Sequence, residues 1–236
     1  MKWPTPLLPA TLERRTKRFL AEAVLEDGRS VVAHCANPGS MRGLLPPRAG
    51  MLLSRKESAS RKLPFTWELV SVQGSWVCVN TALANAVVAE ALEQGTIPAM
   101  RDYTAFRREV AWHTGTRFDF RLTAEGRPDC YMEVKSVSLS LEPGVAAFPD
   151  AVTQRGSRHL QELIAVVAGG MRAVLLFLVV RADCRSFRPA GEIDPRYTEL
   201  LHTARKNGVE VLVCGCRIDP EEITLSHALP WELGLS

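Results

Sequence analysis

The chain changes period once, at Asn80, and that change limits what it can fold into. Before Asn80 the apolar residues come in short runs between turn residues, and no stretch repeats at helical spacing. "RRTKRFLAEAVLEDG" passes through the Asp27-Gly28 dipeptide, a hairpin turn signal, into "RSVVAHC". The loop that follows, "ANPGSMRGLLPPRAG", is dense in Pro and Gly. "MLLSRKES" and "KLPFTWELVSV" come next, and the Gln73-Gly74 turn leads into "SWVCVN". Five short strands in about 65 residues predict a small barrel, with the OB-fold as the natural candidate.

From Asn80 onward helices alternate with strands. "TALANAVVAEALEQG" has Asn80 at an N-cap position and Gly95 just past its end, and its stripe is Leu83, Val87, Ala91 and Leu92. "FRREVAWH", "TRFDFRL" and "CYMEVKSVSL" predict a three-stranded meander, turning at Thr114-Gly115 and in "AEGRPD". Pro149 and Asp150 are expected to open a helix over "AVTQRGSRHLQELIAVVAGG". "RAVLLFLVV" is apolar without alternation, as a strand covered on both faces should be. A last helix runs from Asp194-Pro195 to Gly208, and "VEVLVCGC" is a last buried strand. The order α-β-β-β-α-β-α-β makes residues 80–236 an α/β domain behind a barrel at 1–79. The strand at Glu133, the helix at Asp150 and the strand at Val174 form a β-α-β unit, so those strands run parallel. Ligand sites in such layers gather near strand ends.

Two strands of the meander carry charge in mid-run. Side chains alternate across a strand, so Glu133 and Lys135 share one face while Met132 and Val134 take the other. An unpaired buried charge costs several kcal/mol, so these groups must be paired or bound to something. Asp119 lies on the neighbouring strand. Two converging carboxylates suit a hard divalent cation, Mg²⁺ or Mn²⁺, which keeps water and phosphate oxygens as its other ligands. Lys135 could then activate a water or hold a phosphate. Glu90, on the preceding helix, could lean over the same face. Gln154, Arg155 and Arg158 fall on one side of the following helix, where a guanidinium could meet a phosphate backbone. The competing reading is a charge network on an exposed sheet face, with Glu133 beside Lys135 and Arg117 beside Asp119.

Charge is distributed unevenly. Residues 1–79 hold 12 Lys and Arg against 6 Asp and Glu, and the remainder holds 17 against 20. A basic first part suggests a polyanion-binding module. Its candidates are Arg42, Arg61 and Lys62, with Trp67 and Phe65 close by, because basic residues among aromatics suit a groove that tracks phosphates and stacks bases. Barrel core is the other reading for both aromatics. The loop "NPGSM" (37–41) could offer backbone N–H groups to an anion. His159 lies beside the basic helix face, and no histidine has a partner at ligand spacing. The six cysteines form no C-x-x-C, and the pair Cys214/Cys216 lacks two further zinc ligands, so buried reduced thiols are expected. No apolar run approaches a membrane span, and "MKWPTPLLPATLERRTKRF" lacks a signal-peptide core, which places the protein in the cytoplasm. Walker, dinucleotide and G-x-S-x-G patterns are absent.

Asp…Glu-x-Lys on consecutive strands, with a helical acid before and a basic helix after, resembles the PD-(D/E)xK nuclease superfamily. "HCANPGSMRGLL", "RKLPFTWELV", "VNTALAN", "RFDF", "EVKSV" and "FPDAVTQRGSRHLQEL" together resemble the sugar fermentation stimulation protein family, over about residues 12–230. The resemblance implies an OB-like domain followed by a restriction-endonuclease-like domain. It also implies DNA binding without marked sequence preference, a regulatory link to sugar (maltose) metabolism, and a homodimer, the habit of many nucleases of this shape. By position Asp119, Glu133 and Lys135 match the nuclease motif, and Glu90 matches the helical acid. Phe118 stands where the superfamily motif has proline. The expectation is therefore a metal-dependent phosphodiesterase acting on DNA. A DNA-binding regulator without turnover, and a binder of small anionic metabolites through "NPGSM", are the alternatives.

Overall fold

The computed structural model describes residues 1–56, 62–113 and 115–232. Strands β1 (Leu8–Thr16), β2 (Leu20–Leu25), β3 (Ser30–His34), β4 (Gly50–Arg55) and β5 (Phe65–Val72) run in the order β3-β2-β1-β4-β5. A parallel β3–β5 pairing at Ala33–Phe65 and His34–Thr66 closes them into a five-stranded OB barrel. The alternating burial of β2 shows why this text makes a barrel, since one side of each strand fills the interior. Leu12, Ala23, Met51, Leu53 and Trp67 lie in that interior.

The barrel strands differ from the sequence reading at two points. "RRTKRFLAEAVLEDG" is not one strand. Lys17 and Arg18 both take positive φ, 48° and 62°, and turn β1 into β2 without a glycine to mark the place. "SWVC" is not a barrel stave either. It is β6 (Ser75–Cys78), appended outside β5.

The second half is built on a six-stranded sheet in the order β15-β14-β12-β9-β8-β7. Strands β7 (Ala105–His113), β8 (Thr116–Thr123) and β9 (Cys130–Val137) form the expected meander, although Thr114 of its first turn lies outside the described residues. Strands β9, β12 (Arg172–Val179) and β14 (Glu210–Ile218) are parallel. Every residue of β12 after Arg172 is buried, each apolar side chain contributing roughly 1.5–3 kcal/mol. Helix α1 (Ala84–Glu93) covers one face, with Val87 and Val88 in a core that includes Met132, Val134, Leu176 and Leu178. Helices α2 (Gln154–Ala168) and α3 (Pro195–Lys206) cover the other, against Tyr131, Leu175 and Phe177.

Asn80 caps a single 3-10 turn, Thr81–Leu83, and α1 begins after it. Helix α2 begins at Gln154, not at Asp150. Thr153 is its cap, accepting the Gly156 N–H at 3.0 Å, and this leaves the Asp150 carboxylate for another partner. A small sheet of β10 (Leu139–Glu142), β11 (Val145–Phe148) and β13 (Ser186–Pro189), and the edge strand β15 (Ile223–Ala228), were not legible in the sequence.

The two halves share backbone and core. Cys78 N–H donates to Val180 C=O, and Ala182 N–H to Trp76 C=O, so β6 pairs with the chain that leaves β12. Leu52, Leu69 and Cys78 of the first half pack in one cluster with Val88, Phe120 and Leu176 of the second. Among the described residues no helix is long and apolar enough to cross a membrane.

Candidate active site

Strand β9 places Met132 and Val134 toward α1, and Tyr131 and Val137 toward α2. Glu133 and Lys135 therefore face α2, as alternation requires. The β8–β9 ladder pairs Phe120–Leu122 with Cys130–Met132 and stops there. Beyond that point the Asp119 side chain substitutes for the strand, and its Oδ2 accepts the Val134 N–H at 2.7 Å. Where the ladder ends, a cavity of about 550 Å³ opens. Asp119, Glu133, Lys135, Asn85 and Arg155 all line it.

The acids are held differently. Glu133 is 4% exposed. Its Oε1 takes the Lys135 ammonium at 2.6 Å and also meets His159 Nδ1. Burial alone would raise its pKa, but the His159 hydrogen bond and the Lys135 charge outweigh that and hold it below the usual carboxylate range. Arg155 Nε approaches His159 Nε2 at 3.5 Å. A proton on Nδ1 faces Glu133 Oε1, and the ring so held orients that carboxylate. Asp119 is raised instead, first by burial and then by the charge on Glu133, against the Val134 N–H, the Asn85 amide and Lys135. Asn85 Nδ2 donates to its Oδ1 at 2.6 Å.

This donor set fits a divalent cation. Glu133 Oε2 is buried with no hydrogen-bond partner, a costly state for a carboxylate oxygen. Asp119 sits beside it with a charge its surroundings do not fully offset. Among the described residues no three His, Cys, Asp or Glu side chains gather into a cage. A cation that keeps most of its ligands as water suits such a pair, and that is the habit of Mg²⁺.

Several expected residues lie elsewhere. Glu90 is outside the cavity. It pairs with the Met1 ammonium, which also donates to Ile223 C=O of β15, and five residues after Asn85 it points about 140° away around α1. Asn85 is the α1 residue at the site. Trp67 is fully buried, with its indole N–H on Leu69 C=O, so it is barrel core and cannot stack a base. Phe65 is core as well. Arg158 is exposed but lines a separate depression with Gln161 and Arg196. Arg42 and Lys62 are exposed on the barrel and do not line the cavity, and Arg61 lies outside the described residues. The six cysteines are free and buried, and burial pushes the Cys78 thiol up to about 12.

Other residues at the cavity were missed. Glu109 and Arg108 line it from β7. Arg108 pairs with Phe120 and Val110 with Phe118, so Glu109 stands opposite Asp119, at a φ of 53°. The only sequence signal for these was "FRREV". The 37–41 loop, read as a candidate anion loop, reaches the cavity through Asn37 and Gly39.

The likenesses agree with this architecture. Residues 14–79 match a pattern described as the SfsA N-terminal OB domain. Residues 82–222 match the sugar fermentation stimulation protein RE domain. The chain belongs to the sugar fermentation stimulation protein family. A sugar fermentation stimulation protein homolog of Acidithiobacillus ferrooxidans is 52% identical over 225 residues, 95% of this chain and 97% of its own length. Its counterpart in Rhodospirillum centenum is 48% identical over 229 residues, 97% of this chain and 98% of its own. Among solved structures, that of Pyrococcus furiosus SfsA in complex with Ca²⁺ superposes with a TM-score of 0.88 at 25% identity, covering 98% of each chain. The family thus carries the OB barrel and the RE domain in one chain.

Proposed function

We propose that this family member binds DNA and hydrolyses a phosphodiester bond with a divalent cation held by Asp119 and Glu133. The orphaned, buried Glu133 Oε2 beside a raised Asp119 carries this reading. The Ca²⁺ bound by the Pyrococcus furiosus relative supports it. When bound, the cation acidifies water and offsets the charge that gathers on phosphoryl oxygens. The chain's own groups do the rest. His159 fixes the Glu133 carboxylate. Lys135 presents a cation to the phosphate or to the attacking water. Arg155 and Arg108 stand exposed at the cavity to receive backbone phosphates. In the reaction a water oxygen bonds to phosphorus, the bond to one sugar oxygen breaks, and that oxygen takes up a proton.

The test is cleavage of labelled DNA with Mn²⁺ or Mg²⁺ by the wild type and by Glu133→Ala. Cleavage is expected to fall roughly 10²-fold or more, with most DNA binding kept. Equal cleavage by both proteins would overturn the catalytic role. Binding is expected to weaken with salt at a slope of about −0.9 per phosphate contact on duplex. A flat salt response would point away from DNA and toward a small anion at the 37–41 loop.

A further inference from the structure

One wall of the cavity belongs to the barrel, and it is built with unusual care. The loop at 37–40 is held from both halves of the chain. Arg15 spends its guanidinium on loop carbonyls, donating to Asn37 C=O at 2.7 Å and to Gly39 C=O at 3.1 Å, while its Nε holds Arg18 C=O. From the other half, Thr81 Oγ1 donates to Ala36 C=O at 2.7 Å. Asp150 Oδ2 accepts both the Ser40 N–H at 2.8 Å and the Ser40 hydroxyl at 3.2 Å. A Cβ at Gly39 would stand 2.3 Å from Asp150 Oδ2, so only glycine lets the loop come this close. Met41, at 2% exposure, takes a φ of 53° to turn the chain back into the barrel. A strained loop fixed by this many bonds, none of them needed for barrel closure, points to a task at the cavity.

The lining is divided by chemistry. Asp119, Glu133 and Lys135 form a charged floor. Pro38, Ala147, Phe148 and Pro149 form an apolar side, on which Phe148 is only half-buried. Its ring is braced by Phe177 at 5.4 Å and Tyr197 at 5.3 Å, so the face it presents is fixed. A phosphate on the floor would set its own base against that side. A cavity of about 550 Å³ is on the scale of a small-ligand site rather than of a whole duplex. In a duplex the bases are stacked inside and must be flipped out before any wall can touch them. An unpaired strand needs no flipping, and an aromatic face stacks any base.

We infer that the barrel loop makes the site a slot for an unpaired DNA strand, with Arg15 and Asp150 as the positioning residues that hold the wall in place. This rests on the phosphodiesterase reading and narrows its substrate. The experiment uses the full chain with Ca²⁺ and one fluorescent oligonucleotide sequence in three forms: single strand, blunt duplex, and duplex with an unpaired end. Fluorescence anisotropy is expected to show the single strand and the unpaired end bound at least tenfold more tightly than the blunt duplex. Asp150→Ala frees the loop and is expected to erase that preference. Ser40→Ala removes only the hydroxyl bonds and is expected to erode it partway, which keeps the test open if Asp150→Ala folds poorly. Equal affinity for single strand and blunt duplex would overturn this inference and leave the phosphodiesterase reading standing. So would a preference unchanged in a folded Asp150→Ala protein. Failure of all three forms to bind would overturn both.

Discussion

Asp119 is the residue on which the chemistry turns, because burial and the neighbouring Glu133 charge both oppose its ionised form. A cation can bind only when this carboxyl has lost its proton. Its pKa is raised, so cation affinity is expected to fall away with acid above the ordinary Asp value of about 3.9. Calorimetric titration with Ca²⁺ across a pH series measures that midpoint. Asn85→Ala removes the 2.6 Å amide bond that favours the ionised form, and it is expected to push the midpoint higher still. Asp119→Asn is expected to remove the thermal stabilisation that the cation confers. At a hundredfold excess over Kd that stabilisation is worth about 2.7 kcal/mol, or roughly 5–10 °C for a chain of this size. Glu90→Ala is expected to leave cation affinity unchanged, since that acid pairs with the Met1 ammonium. The contrast shows what a sequence reveals at this scale. Glu133 and Lys135 were legible because charge in strand text violates a strong rule. Asn85 violates none, and Glu109 stands on an exposed edge strand where charge is ordinary, so their place depends on where a helix starts and where two strands come into register.

Helix α2 brings Arg155 and His159 to the site, and its first turn is packed without slack. Thr153 caps it, and the Asp194 carboxylate reaches across from α3 to accept the Thr153 N–H at 2.9 Å. Thr153→Ala is expected to cost about 1 kcal/mol, the usual worth of a lost cap. Gly156 inverts an ordinary rule. Replacing a helical glycine with alanine normally gains about 1 kcal/mol. Here the new Cβ would meet the Thr153 side chain at 2.7 Å and Tyr197 Cε2 at 3.0 Å. Gly156→Ala is therefore expected to lower the melting temperature, measured by circular dichroism, and a rise would contradict the packing described. The apolar stripes made α1 and α2 legible, and the Asp194-Pro195 start and Gly208 stop made α3 legible, where Asp194 is indeed the cap. The true starts of α1 and α2 were not, because a cap is a three-dimensional fact. Asp150 resembles a cap in the text, yet its carboxylate is taken by Ser40, far away along the chain.

Over the whole molecule the change of period at Asn80 separates two chain segments more cleanly than it separates two bodies. Glu68, buried in the barrel, accepts the Asn80 amide at 2.7 Å and the Ser54 hydroxyl at 2.6 Å, tying the junction down. Strand β6 pairs with the chain after β12, and one apolar cluster spans both halves. Unfolding is accordingly expected to be a single cooperative transition in scanning calorimetry. Two resolved peaks would show that barrel and α/β layer are energetically independent. Composition and periodicity made the two architectures readable. They carried nothing about the seam, which is made by side chains from distant parts of the chain. Floor and wall of one chamber are thus encoded on opposite sides of Asn80. A recombination event that gave the second half a foreign barrel would keep every acid and lysine of the floor and still lose the wall made by residues 37–40, so the two segments must be inherited together.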